Sequence, residues 1–436
     1  MTPPSTPSDG RDGRDGRDGR DSRDGCGGCG GRDASGRSRR AVLATAGTAV
    51  AGALAGCSAL GGGTTPSAFA DGDWHSFGNA PGNQNRVAGG APEPTDHDVL
   101  ADANWPYAPP VVHDDTAYLA TGERVLAVQA NGVEAWQRPG EDRVVASGAP
   151  ALDPDEGLLY VPKRVVPRSD GPDPAPAFVT AYDYETGFEQ WRVRVGDDRA
   201  YGVTVHGGDL YVRSASACVR LGPDGSERWR TPLDPLRYDE YNLSGTFATQ
   251  VAPAVENAGV YVPDRNALVK LEPGTGDERW RVHAATPYAA PVLDNGGVVQ
   301  TGWQGVVAVD RFGDVRWRRD LQSLAAPATD GTDVYVATTD LYELDGTTGE
   351  SNWTIPLSRG DTGTAAPVVT DDTVVVDADH PVAYRRDADG LLAPDRKRWT
   401  YTQPHTGTYA TPVVASGNLF AVGPAGLYAF EHNTET

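Results

Sequence analysis

The stretch Ala181-Tyr182-Asp183-Tyr184-Glu185-Thr186-Gly187-Phe188-Glu189-Gln190-Trp191 decides the reading of the chain, because its frame recurs. Six further tryptophans, Trp136, Trp229, Trp280, Trp317, Trp353 and Trp399, end similar phrases. Glycine stands four residues before the Trp at Gly132, Gly187, Gly225, Gly276, Gly313 and Gly349; Asp395 takes that place before Trp399. A fixed offset repeated down a chain means internal repeats, and these settle the architecture before any single residue does. Each phrase reads as a hairpin. A strand ends on an acidic residue (Asp183, Glu272, Asp310, Asp345), a glycine supplies the positive φ of the turn, and a second strand reaches the Trp. A large ring at a constant place in each unit is most simply a packing wedge between units.

A second phrase, a small residue followed by Pro, opens each unit: Ala108-Pro109, Ala149-Pro150, Ala252-Pro253, Ala290-Pro291, Ala326-Pro327, Ala366-Pro367 and Thr411-Pro412, with Tyr201-Gly202-Val203 in its place in the third. Proline suits a strand's first residue and not its interior. Alternating runs such as Thr116-Ala117-Tyr118-Leu119 and Val334-Tyr335-Val336 follow. Each unit therefore holds four short antiparallel strands. The Trp intervals of 55, 38, 51, 37, 36 and 46 residues bracket the length of a propeller blade, about 40–45 residues. Helical solenoids are excluded, since no sustained 3.6-residue periodicity follows the presequence.

Eight strand-opening phrases against seven Trp phrases predict an all-β, eight-bladed propeller, with seven blades as the fallback. The last unit, residues 410–430, lacks an outer strand. The N-terminal stretch of about 98–106, ending near Trp105, is expected to supply it and so close the ring. The phrase A-x-D-x-x-T-G-x-x-x-W resembles the repeat of the PQQ-like β-propeller superfamily over roughly residues 74–430. That superfamily includes the quinoprotein alcohol dehydrogenases and the outer-membrane assembly lipoprotein BamB. The resemblance implies the scaffold; chemistry must come from residues the repeat does not explain.

The enzymes' site does not carry over. In that family PQQ is capped by a disulfide between adjacent cysteines and chelates calcium. Here no two cysteines are adjacent, and no C-x-x-C-H haem signature occurs. Trp303, outside the repeat phrase, is read as packing. Asp153-Pro154-Asp155-Glu156-Gly157 and Asp387-Ala388-Asp389-Gly390 fall short of a calcium loop, and the eight histidines form no metal motif. Cys26 and Cys29 are a lone pair in the presequence, and Cys218 reads as a buried inert thiol. No catalytic, metal or cofactor residue is assigned; PQQ with calcium belongs to an alternative, dehydrogenase-like reading, beside that of a small-ligand-binding propeller.

The N-terminus predicts export. Residues 1–37 are low-complexity Arg-Asp-Gly sequence. Residues 38–57 carry Arg39-Arg40, a 16-residue weakly apolar stretch and Leu54-Ala55-Gly56-Cys57, which resembles a twin-arginine signal with a lipobox; the resemblance makes Cys57 the lipidated residue. Residues 58–73 read as a flexible tether and 74–436 as the propeller.

Residues 1–56 hold nine Arg and seven Asp of the chain's 38 basic and 60 acidic residues, so the remainder has 29 basic and 53 acidic residues, with only Lys163, Lys270 and Lys397 as lysines. Such a surface resembles secreted proteins of extreme halophiles, notably haloarchaea, and argues against nucleic acid. Recognition residues are sought in the 232–250 loop, at Arg237, Tyr238, Tyr241 and Phe247, and among rings just before the opening strands, Tyr107, Tyr201, Phe247, Tyr288 and Tyr409, which either bind a ligand or plug the axis; plugging is preferred. The sequence thus predicts a monomeric, lipid-anchored, non-catalytic module on the outer face of the cell membrane, with an unidentified protein partner.

Overall fold

In the computed structural model, residues 72–102, 108–167, 174–236, 251–284, 289–357, 365–378, 380–387, 396–401, 410–423 and 426–432 are described. They form 33 strands and no helical element. The strands make eight antiparallel sheets, seven of four strands and one of five. Blade 1 runs Val111–His113, Thr116–Ala120, Arg124–Gln129 and Glu134–Pro139. Blade 2 adds a short fifth strand, Val144–Ala146, along the edge of Leu158–Val165. That long strand carries Lys163 and Arg164, paired with Phe178 and Ala177.

The last blade joins the two ends of the chain: Val413–Ala415, Asn418–Gly423 and Gly426–His432, then Pro94–Asp102 as outer strand. This corrects the expected span of 98–106. The register pairs Pro94 with His432 and Asp102 with Gly426. It seats the His97 ring against Tyr401, Tyr428 and Phe430. In the other blades the repeated Trp pairs with one position of the third strand, as Trp136 with Ala127 and Trp317 with Ala308. The matching residue here, Ala429, lies opposite Asp98. Trp105 lies outside the described residues.

The tryptophans bridge blades. Indole Nε1 of Trp136 donates to the carbonyl of Tyr184 in the next blade, and Trp191, Trp229, Trp280 and Trp317 donate likewise to Pro223, Pro273, Arg311 and Gly346, at 2.8–3.1 Å. Each of these rings also lies on the turn glycine of that next blade, where a side chain would not fit. The glycine therefore serves twice: its positive φ makes the turn, and its missing Cβ seats the neighbour's indole. At the closing seam Gly132 meets Leu100 instead, 3.9 Å from where its Cβ would be.

Candidate functional site

Residues 72–87 wind along the inner strands, tying seven of the eight blades together. Backbone N–H groups of Ser416, Val112, Leu152, Val255, Leu293, Thr329 and Val369 donate to carbonyls of Gly72, Trp74, His75, Pro81, Gly82, Gln84 and Asn85. Three asparagines let this short segment curve: Asn79, Asn83 and Asn85 hold φ of 69°, 57° and 51°, a region Asn tolerates better than most residues. Their amides also bind the blades. Asn83 Nδ2 donates to the carbonyls of Ala252, Pro253 and Pro291 at 3.0–3.2 Å, and Asn85 Nδ2 to that of Pro327 at 3.0 Å.

This arrangement explains the small residue before each proline. Ala108, Ala149, Ala252, Ala290, Ala326 and Ala366 converge in one cluster with Phe77, which is 1% exposed. Gly202 serves the same purpose in blade 3, since a Cβ there would lie 2.9 Å from backbone atoms of Ala252. A larger side chain at Gly202 would collide with blade 4, and larger ones at the alanines would crowd Phe77. The axis at this level is thus filled by the chain's own N-terminal segment. Gly72 and Asp73, assigned by sequence to the tether, are bonded to the ring.

Of the rings just before the opening strands, Tyr201 is described, and it is 3% exposed. It is buried with Ala215, Leu236, Val251 and Leu324, and Trp303 packs against the same cluster. Arg237, Tyr238, Tyr241, Phe247, Tyr107, Tyr288 and Tyr409 lie outside the described residues, as do Arg39, Arg40 and Cys57. Cys218 is buried and free, and burial pushes its thiol up to about 12. Asp153 accepts a hydrogen bond from Glu156 N–H, capping its own turn.

A trio that sequence reading missed stands where the plug enters the ring. Trp74 and Val112 exchange backbone hydrogen bonds of 2.8 Å, an antiparallel bridge that puts Asp73, His75 and His113 on one face. Asp73 Oδ2 is 2.8 Å from His113 Nδ1 and 3.2 Å from His75 Nε2, and the two ring nitrogens are 3.1 Å apart. The three side chains are 14–16% exposed. Burial outweighs the opposing Asp73 charge and holds the His75 imidazole below the ordinary histidine range. The far nitrogen of His113 faces Asp114 Oδ2 at 3.6 Å, and Tyr184 stands edge-on to the ring. Beside the same turn, a polar cavity of about 520 Å³ lies at the closing seam, lined by Asp114, Asp115, Gln129, Ala130, Asn131, Ser416 and Asn418. The only hint in sequence was the Asp73-Trp74-His75 spacing; His113 is 38 residues further on, and only the bridge brings it in.

Comparison with known proteins agrees with this architecture. A curated relative, the outer membrane protein assembly factor BamB of Nitrosomonas eutropha, is 33% identical over 129 residues, 28% of this chain; the match spans 31% of that relative's length. Among solved structures, BamB from Moraxella catarrhalis superposes with a TM-score of 0.59 at 16% identity, over 80% of this chain and 99% of its own. Quinohemoprotein alcohol dehydrogenase from Comamonas testosteroni gives 0.59 at 12% identity, over 82% of this chain and 80% of its own. The computationally designed Ika8 protein gives 0.56 at 11%, over 78% and 99%. These structures share the fold with an enzyme, an assembly factor and a design alike. The family described as outer membrane protein assembly factor BamB matches residues 176–237 and 219–436, more than half of the sequence, and the chain belongs to that family.

Proposed function

We propose that the protein is an exported, lipid-anchored propeller that acts as a non-catalytic scaffold for a protein partner at the cell envelope. The observation that carries this reading is the filled axis: Phe77, ringed by the alanines of six blades, occupies the centre of the disc. A ring whose centre is taken by its own chain offers its faces and outer turns for binding. The family assignment supports the same reading, since the relatives' name describes assembly of other proteins. Anchoring rests on the lipobox at Cys57; among the described residues no helix is long and apolar enough to cross a membrane. A single acyl chain gives only marginal attachment, so a partner or a second contact would strengthen it. Arg237, Tyr238, Tyr241 and Phe247 are the proposed contact residues on sequence grounds.

The second reading, a quinone-dependent oxidoreductase, draws on the shared fold with the alcohol dehydrogenases. Two experiments separate them. A photoreactive residue in place of Tyr238 or of Phe312, which is 86% exposed on an outer turn, should give a discrete heterologous adduct on intact cells. Reconstitution with PQQ and calcium should give no dye-linked oxidation of alcohols or sugars. Turnover in that assay, with self-adducts alone in the first, would replace the scaffold with the enzyme.

A further inference from the structure

We propose that Asp73, His75 and His113 form a binding site for one divalent transition-metal ion of the zinc type, which clamps the N-terminal plug to blade 1. The argument begins with protons. An ionised carboxylate oxygen only accepts hydrogen bonds, and each imidazole nitrogen either donates or accepts. For both histidines to bond Asp73 Oδ2, His75 Nε2 and His113 Nδ1 must both carry hydrogen, and two N–H groups then face each other at 3.1 Å. If one nitrogen is stripped so that the histidines can bond each other, its lone pair faces the carboxylate. With Asp73 ionised, no placement of protons gives each of the three contacts its own hydrogen bond. A cation among them satisfies all three, because each atom then directs a lone pair at it.

The dimensions fit. Metal–ligand bonds of about 2.0–2.2 Å, at angles between octahedral and tetrahedral, separate neighbouring donor atoms by about 2.8–3.6 Å. The observed separations are 2.8, 3.1 and 3.2 Å, those of three adjacent positions around a single ion. The donor set, two imidazole nitrogens and one carboxylate oxygen, suits zinc and its first-row neighbours, and not calcium or magnesium, which take oxygen ligands.

The surroundings match those of a metal-bound imidazole. A ligating histidine commonly presents its other ring nitrogen to a carboxylate, which fixes the tautomer and strengthens the ligand. The far nitrogen of His113 faces Asp114 Oδ2 at 3.6 Å, a charge contact rather than a hydrogen bond. The ligands are also held by backbone that cannot swing apart: the Trp74–Val112 bridge fixes the pair of strands, and Leu152 N–H bonds the His75 carbonyl at 2.8 Å. Three protein ligands leave further coordination positions, and the trio retains partial exposure through which water can reach them. The role assigned is a clamp: with the ion bound, the start of the plug is cross-linked to the innermost strand of blade 1.

The test uses untagged, full-length exported protein stripped with a chelator and titrated with Zn²⁺ by calorimetry and with Co²⁺ by visible absorption. One equivalent of each should bind, Zn²⁺ should displace Co²⁺, and Zn²⁺ should raise the melting temperature. Asp73→Asn, which keeps the side chain's shape, and His113→Ala should each weaken binding by at least about tenfold. His206→Ala, whose ring bonds Asn257 in blade 4, should bind like the parent. Circular dichroism establishes that the variants are folded; if either fails to fold, His75→Ala takes its place. Absence of a stoichiometric Co²⁺ spectrum in the parent, or binding unchanged in a folded trio variant, would overturn the proposal. Neither outcome depends on whether the protein is a scaffold or an enzyme.

Discussion

Gly187 of blade 2 lies directly on the indole of Trp136 of blade 1: a Cβ built on the glycine would stand 2.5 Å from Cε3 of the ring. The contact joins the two ends of the repeated phrase across a blade boundary. Gly187→Ala meets two penalties, a side chain at φ of 71° and an overlap with a ring hemmed in by its bond to Tyr184. Together these should destabilise the protein by about 2–4 kcal/mol. Gly207→Ala, with φ of 62° and open space around it, should cost about 1 kcal/mol, the backbone penalty alone. Chemical denaturation of the two variants, compared at equal slope, measures the difference.

Asn83→Ala should cost about 2–4 kcal/mol. The side chain is fully buried, and its two amide hydrogens serve three carbonyls from blades 4 and 5. Its loss takes a donor from all three, leaving Pro253 only the Thr204 hydroxyl, and puts alanine at a positive φ. The same denaturation experiment checks it, and a loss below 1 kcal/mol would mean that the plug is only loosely held.

Much of this was legible in the sequence, for a physical reason. The offset from Gly to Trp, met six times, and the small residue before Pro, met seven times, are imposed by one repeated packing geometry, so the pattern stands out even where single residues drift. Blade number and strand order followed from it. The closing strand was placed four residues late, because Trp105 looked like an eighth wedge while the register is set by His97 against Tyr401, Tyr428 and Phe430. The plug was not legible at all. Phe77 and Asn83 occur once each in a stretch without periodicity, and their partners lie about 170 residues or more away for Asn83. The Asp73, His75 and His113 trio was hidden for the same reason.

Asp333 should make stability fall between about pH 4 and pH 6. Burial first, then the nearby Glu343 and Asp330 carboxylates, raise its pKa from 3.8 to about 6. Below the unfolded value the group is protonated in both states and no penalty arises. Above the folded value it is ionised in both, and the fold bears the cost of the buried charge. Asp333→Asn removes that cost. Its melting temperature should exceed the parent's at pH 7 and match it at pH 4, as calorimetry at the two pH values will register; an equal difference at both would assign the effect to packing.

Cys57→Ser should shift the protein from the membrane pellet to the medium, if the lipobox is used. Fractionation of cells expressing each form, followed by immunoblotting, is sufficient. Unchanged membrane retention would show that attachment comes from elsewhere in the chain.

The central claim is that residues 72–87 are part of the ring and fill its axis. Hydrogen–deuterium exchange on the intact protein tests it directly at the amides of Trp74, Asn83, Asn85 and Val87, each hydrogen-bonded within the plug or to a blade. The account predicts that these amides exchange as slowly as those of Tyr118, Val262 and Val299 in the second strands, which pair inside their own blades. Exchange at the rate of an unstructured peptide, while the second strands stay protected, would show an open channel and contradict it.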